Sequence, residues 1–216
     1  MMRKFLTSSK RGSLLNKFRK RRFTFFLEKI QDIERPVMIL DVGGEVDFWD
    51  SMDLENRAEF KITILNVQIR NAHRRDFILI KGDGRDMHQF ADKSFDLVFS
   101  NATIEHLPSF SDQTRMAREI KRVGKKYFVQ TPNRYFPIEP HFIFPFFQFC
   151  PHRLQIYMLT HFNMGFFTKT NRAQAEEVTN NIRLLTQSEL KILFPKAKIY
   201  KEKVCGLTKS FTAYEL

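Results

Sequence analysis

The chain has 216 residues, 43% of them hydrophobic, with 24 phenylalanines and a formal net charge of +12. That bounds it to one domain with decoration, apolar enough for a sizeable ring-rich core and not disordered by default. The two cysteines, Cys150 and Cys205, form no CxxC or metal-ligand spacing, which argues against a disulfide scaffold or a zinc site, leaves no metal expected, and fits a reducing cytosol.

Residues 1–35 carry 11 Lys/Arg against 3 Asp/Glu, which is two thirds of the net charge. Such an arm could meet nucleic acid, an anionic membrane surface or an acidic substrate, or be a solvated helix face. Phe5 and Leu6 give way at once to Thr7-Ser8-Ser9-Lys10, so no secretory apolar stretch is expected. From Gly12-Ser13 on, Leu15, Phe18, Phe23, Phe26, Leu27 and Ile30 recur at helical spacing with Arg19 to Arg22 opposite, predicting a basic amphipathic helix that ends before Pro36. This helix either packs across the domain or lies on a lipid headgroup layer.

Val37-Met-Ile-Leu40 then reads as a buried parallel strand that delivers Asp41, Gly43 and Gly44 into a loop, where adjacent glycines allow close approach of a ligand. Phe48 and Trp49 follow; their rings either cover a ligand or pack the first helix on the sheet. Residues 51–60 are helix-compatible, 61–67 form a β-branched strand, 77–80 a third strand ending at Gly82-Asp83-Gly84, and 95–100 a fourth ending at Asn101. Ser109 and Asp112 open a helix that Gly124 stops, and 125–131 is a fifth strand. Residues 132–183 form a long Phe/Pro-rich insertion without clear periodicity, the kind of span that is usually a lid or substrate wall. Its most apolar part, 136–150, is broken by Pro137, Pro140 and Pro145 and is too short to cross a bilayer. Thr186 and Glu189 form a capping box for a short helix, and 197–204 and 207–214 should pair as an antiparallel hairpin.

Alternating strand and helix periods make a three-layer α/β fold, mostly parallel, with the ligand crevice outside the carboxyl ends of the strands. Asp41, Gly43 and Asp83 all fall at such ends. The loop after the first strand lacks the third glycine of a G-x-G-x-x-G dinucleotide site, Asn66 stands where the ribose acid should be, and no Gly-Lys-Ser/Thr phosphate loop follows.

The layout from about Val37 to Leu216 instead resembles the class I S-adenosylmethionine-dependent methyltransferases, of the type 11 kind, whose fold is Rossmann-like and seven-stranded. ILDVGG is similar to their first motif, GDGRDM to their adenine motif, and FDLVFSNATIEHL to their fourth strand. The resemblance implies S-adenosylmethionine as cofactor. Asp41, Gly43 and Gly44 would hold its methionine end, Asn66 its ribose hydroxyls, Asp83 with Gly84 and Met87 its adenine, and Asn101 would lie beside the methyl group. Glu45 replaces the motif's next glycine and Asn66 its ribose acid, and these two departures favour an alternative, a non-catalytic interaction module.

Asn101-Ala102-Thr103-Ile104 is not the Asn/Asp-Pro-Pro-aromatic run of base amino methylation, and neither cysteine sits at a motif strand end, so an RNA methyltransferase reading rests on the basic arm alone. TPNRYFPIEPHFIFPF resembles a subset of small-molecule methyltransferases acting on glycan, lipid-linked or cell-envelope metabolites. Within it Pro140 biases Glu139 to an extended conformation and sets its side chain on the side of His141, a pair suited to taking a proton from a hydroxyl. His106 is a second base candidate. The expectation is therefore a cytoplasmic oxygen methyltransferase of a small or lipid-linked metabolite, in peripheral contact with the inner face of an anionic membrane through its basic helix.

Overall fold

The computed structural model describes residues 14–52, 57–69 and 76–216. The first 13 residues of the basic arm therefore lie outside the described residues.

Among the described residues, nine strands and six α-helices follow in the order α1 (Leu14–Lys29), β1 (Val37–Val42), α2 (Val46–Ser51), β2 (Phe60–Asn66), β3 (Ile78–Lys81), β4 (Phe95–Asn101), α3 (Phe110–Val123), β5 (Gly124–Pro132), β6 (Ile138–Glu139), β7 (Phe144–Pro145), α4 (His152–His161), α5 (Arg172–Asn180), α6 (Gln187–Leu193), β8 (Lys198–Val204) and β9 (Leu207–Glu215). Seven of the strands form one sheet in the order β3-β2-β1-β4-β5-β9-β8. Pairing is parallel from β3 to β5, and β9 then runs antiparallel to both β5 and β8. Strand order reverses between β1 and β4, and in such sheets a ligand crevice opens at the carboxyl ends beside that reversal. Asp41 and Asn101 stand on those two ends.

Alternation along each strand builds the two faces. Ile39, Ile62, Ile64, Leu97, Phe99 and Phe128 meet α1 and α2 on one side, where Phe23, Phe26, Ile30 and Trp49 are buried. Leu40, Val42, Leu65, Val98 and Val129 meet α3 and α6 on the other, through Met116, Ile120, Leu190 and Leu193. Many rings are spent on the first face: Phe99 stacks on Phe128 at 5.6 Å, and Phe26 meets both edge-on. From Phe23 on, the apolar side of α1 is thus committed to the sheet. On its other edge Arg22 is buried, bonded to Glu202 of β8 at 3.1 Å and to Asn101 Oδ1 at 2.9 Å.

Caps act where the residues allow them. Ser109 accepts from the Asp112 N–H, and both bonds of the Thr186–Glu189 capping box are made. Two expectations need correction. The helix expected over 51–60 begins at Val46 and ends at Ser51, because Val46 and Trp49 are the residues that find the core; Arg57–Glu59 is a 3-10 turn. The insertion is also not irregular. It holds the β6–β7 ribbon and helices α4 and α5, with its own core of Phe142, Phe147, Leu159, Met164 and Ala175. Its two ends are tied together where the Arg134 N–H donates to Leu185 O at 3.0 Å. Among the described residues, no helix is long and apolar enough to cross a membrane.

Candidate active site

At the end of β1 the Asp41 carboxylate is buried, accepts the indole N–H of Trp49 on Oδ2 at 2.7 Å, and has no partner on Oδ1 among the described residues. Burial pushes this carboxyl up to about 7, the Trp49 bond pulling it back. The loop beyond fits only glycines. Gly43 has φ +78°, and a Cβ there would lie 2.1 Å from Thr103 Cγ2; a Cβ on Gly44 would lie 1.8 Å from Asp41 Oδ2. Asn66, at the end of β2, donates to Gly44 O at 2.9 Å and accepts from the Gln68 N–H on its other side, so it braces the glycine loop from the neighbouring strand. Trp49 is 1% exposed and packs against Phe23 and Phe99, which decides between its two expected roles in favour of the core.

A second cluster surrounds Asp83. Both its oxygens are held by Arg85, with Nη2 to Oδ2 at 2.6 Å and Nε to Oδ1 at 3.0 Å, and that hydrogen bonding holds the Asp83 carboxyl below the usual carboxylate range. Arg85 also reaches Asp112 at 3.1 Å, fastening the loop to the first turn of α3. Gly84 lies against Val42, 2.7 Å from where its Cβ would be. Met87 is fully buried in the core by this loop, its N–H given to Glu119 at 2.7 Å.

The third cluster joins the end of β4 to the insertion. Glu139 and His141 form a buried pair, Oε1 to Nδ1 at 2.6 Å, and Glu139 Oε2 accepts the backbone N–H groups of His141 and Phe142 at 2.7 and 2.8 Å. The His106 ring stands edge-on to His141 at 4.9 Å. Burial lowers the His141 pKa, but the hydrogen bond and charge of Glu139, with Glu105 behind it, outweigh that and raise it. The opposite holds for His106, lowered by desolvation against its packed side and then by His141, although its other side is open to solvent.

Glu105 is the member that the sequence reading missed. It is fully buried, accepts from Thr131 Oγ1 at 3.1 Å on Oε2, and has no partner on Oε1 among the described residues. Burial pushes its carboxyl up to about 7, with His141 acting to lower it. A shelf beneath fixes the turn: Gln113 donates to Ile104 O and Arg183 O, and the Arg183 N–H donates to Glu105 O at 2.7 Å. A carboxylate oxygen of Glu105 and a ring nitrogen each of His106 and His141 lie within 4.8 Å of one another, a donor set able to hold a metal ion.

The structure thus gathers Asp41, Gly43, Gly44 and Asn66 at the ends of β1 and β2, sets Asp83 and Gly84 apart on the Arg85 loop, and unites Glu139, His141 and His106. Asn101, expected beside a methyl group, has its Oδ1 taken by Arg22. Arg85 and Arg22 were also missed; only the first had a local signal, standing two residues from an acid.

Residues 51–127 match the family described as "Methyltransferase domain". A SAM-dependent methyltransferase from Methanosarcina mazei is 12% identical and superposes with a TM-score of 0.50 over 87% of this chain and 94% of its own. An O-methyltransferase family protein from Burkholderia thailandensis is 11% identical, with a TM-score of 0.53 over 93% of this chain and 57% of that one. The CurJ carbon methyltransferase is 9% identical, with a TM-score of 0.56 over 91% and 53%. The chain spans little more than half the length of these last two. None of the curated proteins matches it in sequence. At such identities structural likeness speaks to the fold alone; over residues 51–127, and in the sheet and strand-end glycine loop, the chain is similar to the S-adenosylmethionine-dependent methyltransferases.

Proposed function

We propose that this domain methylates an oxygen atom of a small-molecule or lipid-linked acceptor, and that the cluster of Glu139, His141 and His106 receives the acceptor hydroxyl. The observation that carries this reading is the buried carboxylate–imidazole pair, 2.6 Å apart, set beside a second imidazole at the end of β4.

The residues present fit the cofactor. The unpartnered Asp41 oxygen can accept from an ammonium group, the glycine loop gives close backbone approach, and Asp83 can accept from an adenine amine. Bound there, the cofactor supplies a methyl group already activated by its positive sulfur. The protein's share is then alignment and removal of one proton. Glu139 fixes the His141 ring by one side-chain and two backbone bonds, and His106, open to solvent, is the imidazole that an entering hydroxyl meets first.

The insertion supports the lipid-linked part of the reading and its role as a lid. Of the fourteen exposed large hydrophobic residues among those described, ten lie between Tyr135 and Phe166, Phe144, Phe146, Phe149 and Phe162 among them. Concentrated exposed apolar surface marks a binding face. A peripheral membrane contact is placed on this insertion, since α1 from Phe23 on has its apolar residues in the core.

The test is incorporation of a tritiated methyl group from the cofactor into a panel of phenols, saccharides, lipid-linked saccharides, amines and RNA. Label in a hydroxyl-bearing small or lipid-linked acceptor is expected; label confined to amines or RNA would overturn the oxygen assignment.

A further inference from the structure

We propose that Glu105, His106 and His141 bind one divalent transition-metal ion, and that this ion grips the acceptor's oxygen. The inference rests on the oxygen-methylation reading for its purpose, though not for its chemistry. Transfer from a sulfonium needs no metal; the ion would act on the acceptor.

Three independent features point to a cation. One carboxylate oxygen and two imidazole nitrogens converge to within 4.8 Å of one another from different parts of the chain, the 3-10 turn after β4 and the insertion. The Glu105 carboxylate is fully buried with one oxygen that meets no donor among the described residues. A buried, half-satisfied carboxylate costs stability unless something positive completes it, and a cation is the compact way to do so. Lastly, His141 is oriented as metal-bound histidines are. Its Nδ1 is held by Glu139 at 2.6 Å, the carboxylate bond that fixes the ring and raises its strength as a ligand.

Two imidazoles and one carboxylate select a first-row ion such as Mn²⁺, Co²⁺ or Zn²⁺ over Ca²⁺ or Mg²⁺, which prefer oxygen ligands alone. Ligand bonds of about 2.0–2.2 Å require the three donors to draw together. His106, the solvent-exposed member, has the room to move, while Glu105 and His141 are fixed by Thr131 and Glu139. Three protein ligands leave open positions on the solvent side for an acceptor hydroxyl. There the ion lowers the hydroxyl's pKa, as it does for bound water. The oxygen then forms its bond to the methyl carbon, the carbon–sulfur pair of electrons stays on sulfur, and the proton leaves to solvent.

The experiment titrates the untagged full chain with Mn²⁺, followed by loss of the free-ion electron paramagnetic resonance signal, and with Co²⁺, followed by its visible absorption. One equivalent should bind. His106→Ala and His141→Ala should each weaken binding by more than tenfold, Glu139→Gln by roughly 10- to 100-fold through the orienting bond, and the surface variant His161→Ala not at all. Because His141 is buried, His106→Ala at the exposed position keeps the test sound should the other variant fail to fold. S-adenosylhomocysteine affinity is measured on the same samples. Absence of stoichiometric binding, or binding indifferent to His106→Ala, overturns the metal site while cofactor binding stands; metal binding without any cofactor affinity would instead sink the methyl-transfer reading and leave the site.

Discussion

The indole N–H of Trp49 donates to Asp41 Oδ2 at 2.7 Å, so the acid at the tip of the first strand is held by the helix that follows its own loop. Removing that donor in Trp49→Phe leaves a buried carboxylate with neither oxygen satisfied. The expected loss is about 1–3 kcal/mol of stability, read by urea unfolding at neutral pH. A loss below a few tenths would mean that the bond does not support the loop.

Asp41 also sets a pH dependence. Its folded pKa is raised to about 7, above the value near 3.8 of a free carboxyl, so the folded chain binds more protons between those limits. This group's contribution to stability therefore falls as pH rises from about 4 to about 7, then stays level. A cofactor ammonium prefers the carboxylate, so S-adenosylhomocysteine should bind more tightly as pH rises through about 7. Asp41→Asn, which keeps an acceptor for Trp49, should flatten both profiles. Calorimetry across pH 5 to 8 checks the binding slope, and a slope unchanged in the variant assigns it to another group.

Asp83→Ala should weaken S-adenosylhomocysteine by about 1–3 kcal/mol if an adenine donor loses its partner. Arg85→Ala should give a smaller loss, because Arg85 orients the Asp83 carboxylate and ties it to Asp112 but leaves it a lone pair for adenine. Tighter binding in Arg85→Ala would show that the arginine competes with the ligand for Asp83.

His141→Ala should lower the methyl-transfer rate on the true acceptor by roughly 10²- to 10⁴-fold with little change in cofactor affinity, and Glu139→Gln should do so more mildly. Single-turnover kinetics beside calorimetry separates the two effects. Equal losses in rate and cofactor affinity would move His141 from the acceptor side to the fold.

Arg22→Met should cost about 3–5 kcal/mol, since it strands the buried Glu202 carboxylate with only Lys209 at 3.5 Å and Ser210 at 3.0 Å. Pairing it with Glu202→Leu should restore most of that. Urea unfolding of the single and double variants measures both, and a single-variant loss under 1 kcal/mol would show that the pair is not closely coupled.

The main sheet was legible because apolar runs, strand-end glycines, the Ser109 cap and the Thr186–Glu189 capping box each fix structure over a few residues. Glu139–His141 was legible for the same reason: Pro140 sets the backbone between them. Helices α4 and α5 were hidden by an aromatic insertion whose apolar residues serve a separate small core and an exposed face at once, which blurs helical periodicity. Local signals did exist in Pro151 before α4 and in the Asn171 cap that accepts from the Gln174 N–H of α5. The Arg22–Glu202 pair, 180 residues apart, and the convergence of Glu105 with His141 depend on how α1 and the insertion fold back, which no local pattern encodes.

The most direct test is a crystal structure with S-adenosylhomocysteine bound. Its adenine amine should donate to Asp83, its ammonium should meet Asp41, and its sulfur should open toward His106 and His141, leaving space there for an acceptor oxygen at about 3–3.5 Å from the transferred carbon. A ligand seated away from the β1 and β4 ends, or with its sulfur turned from the two histidines, would contradict the account.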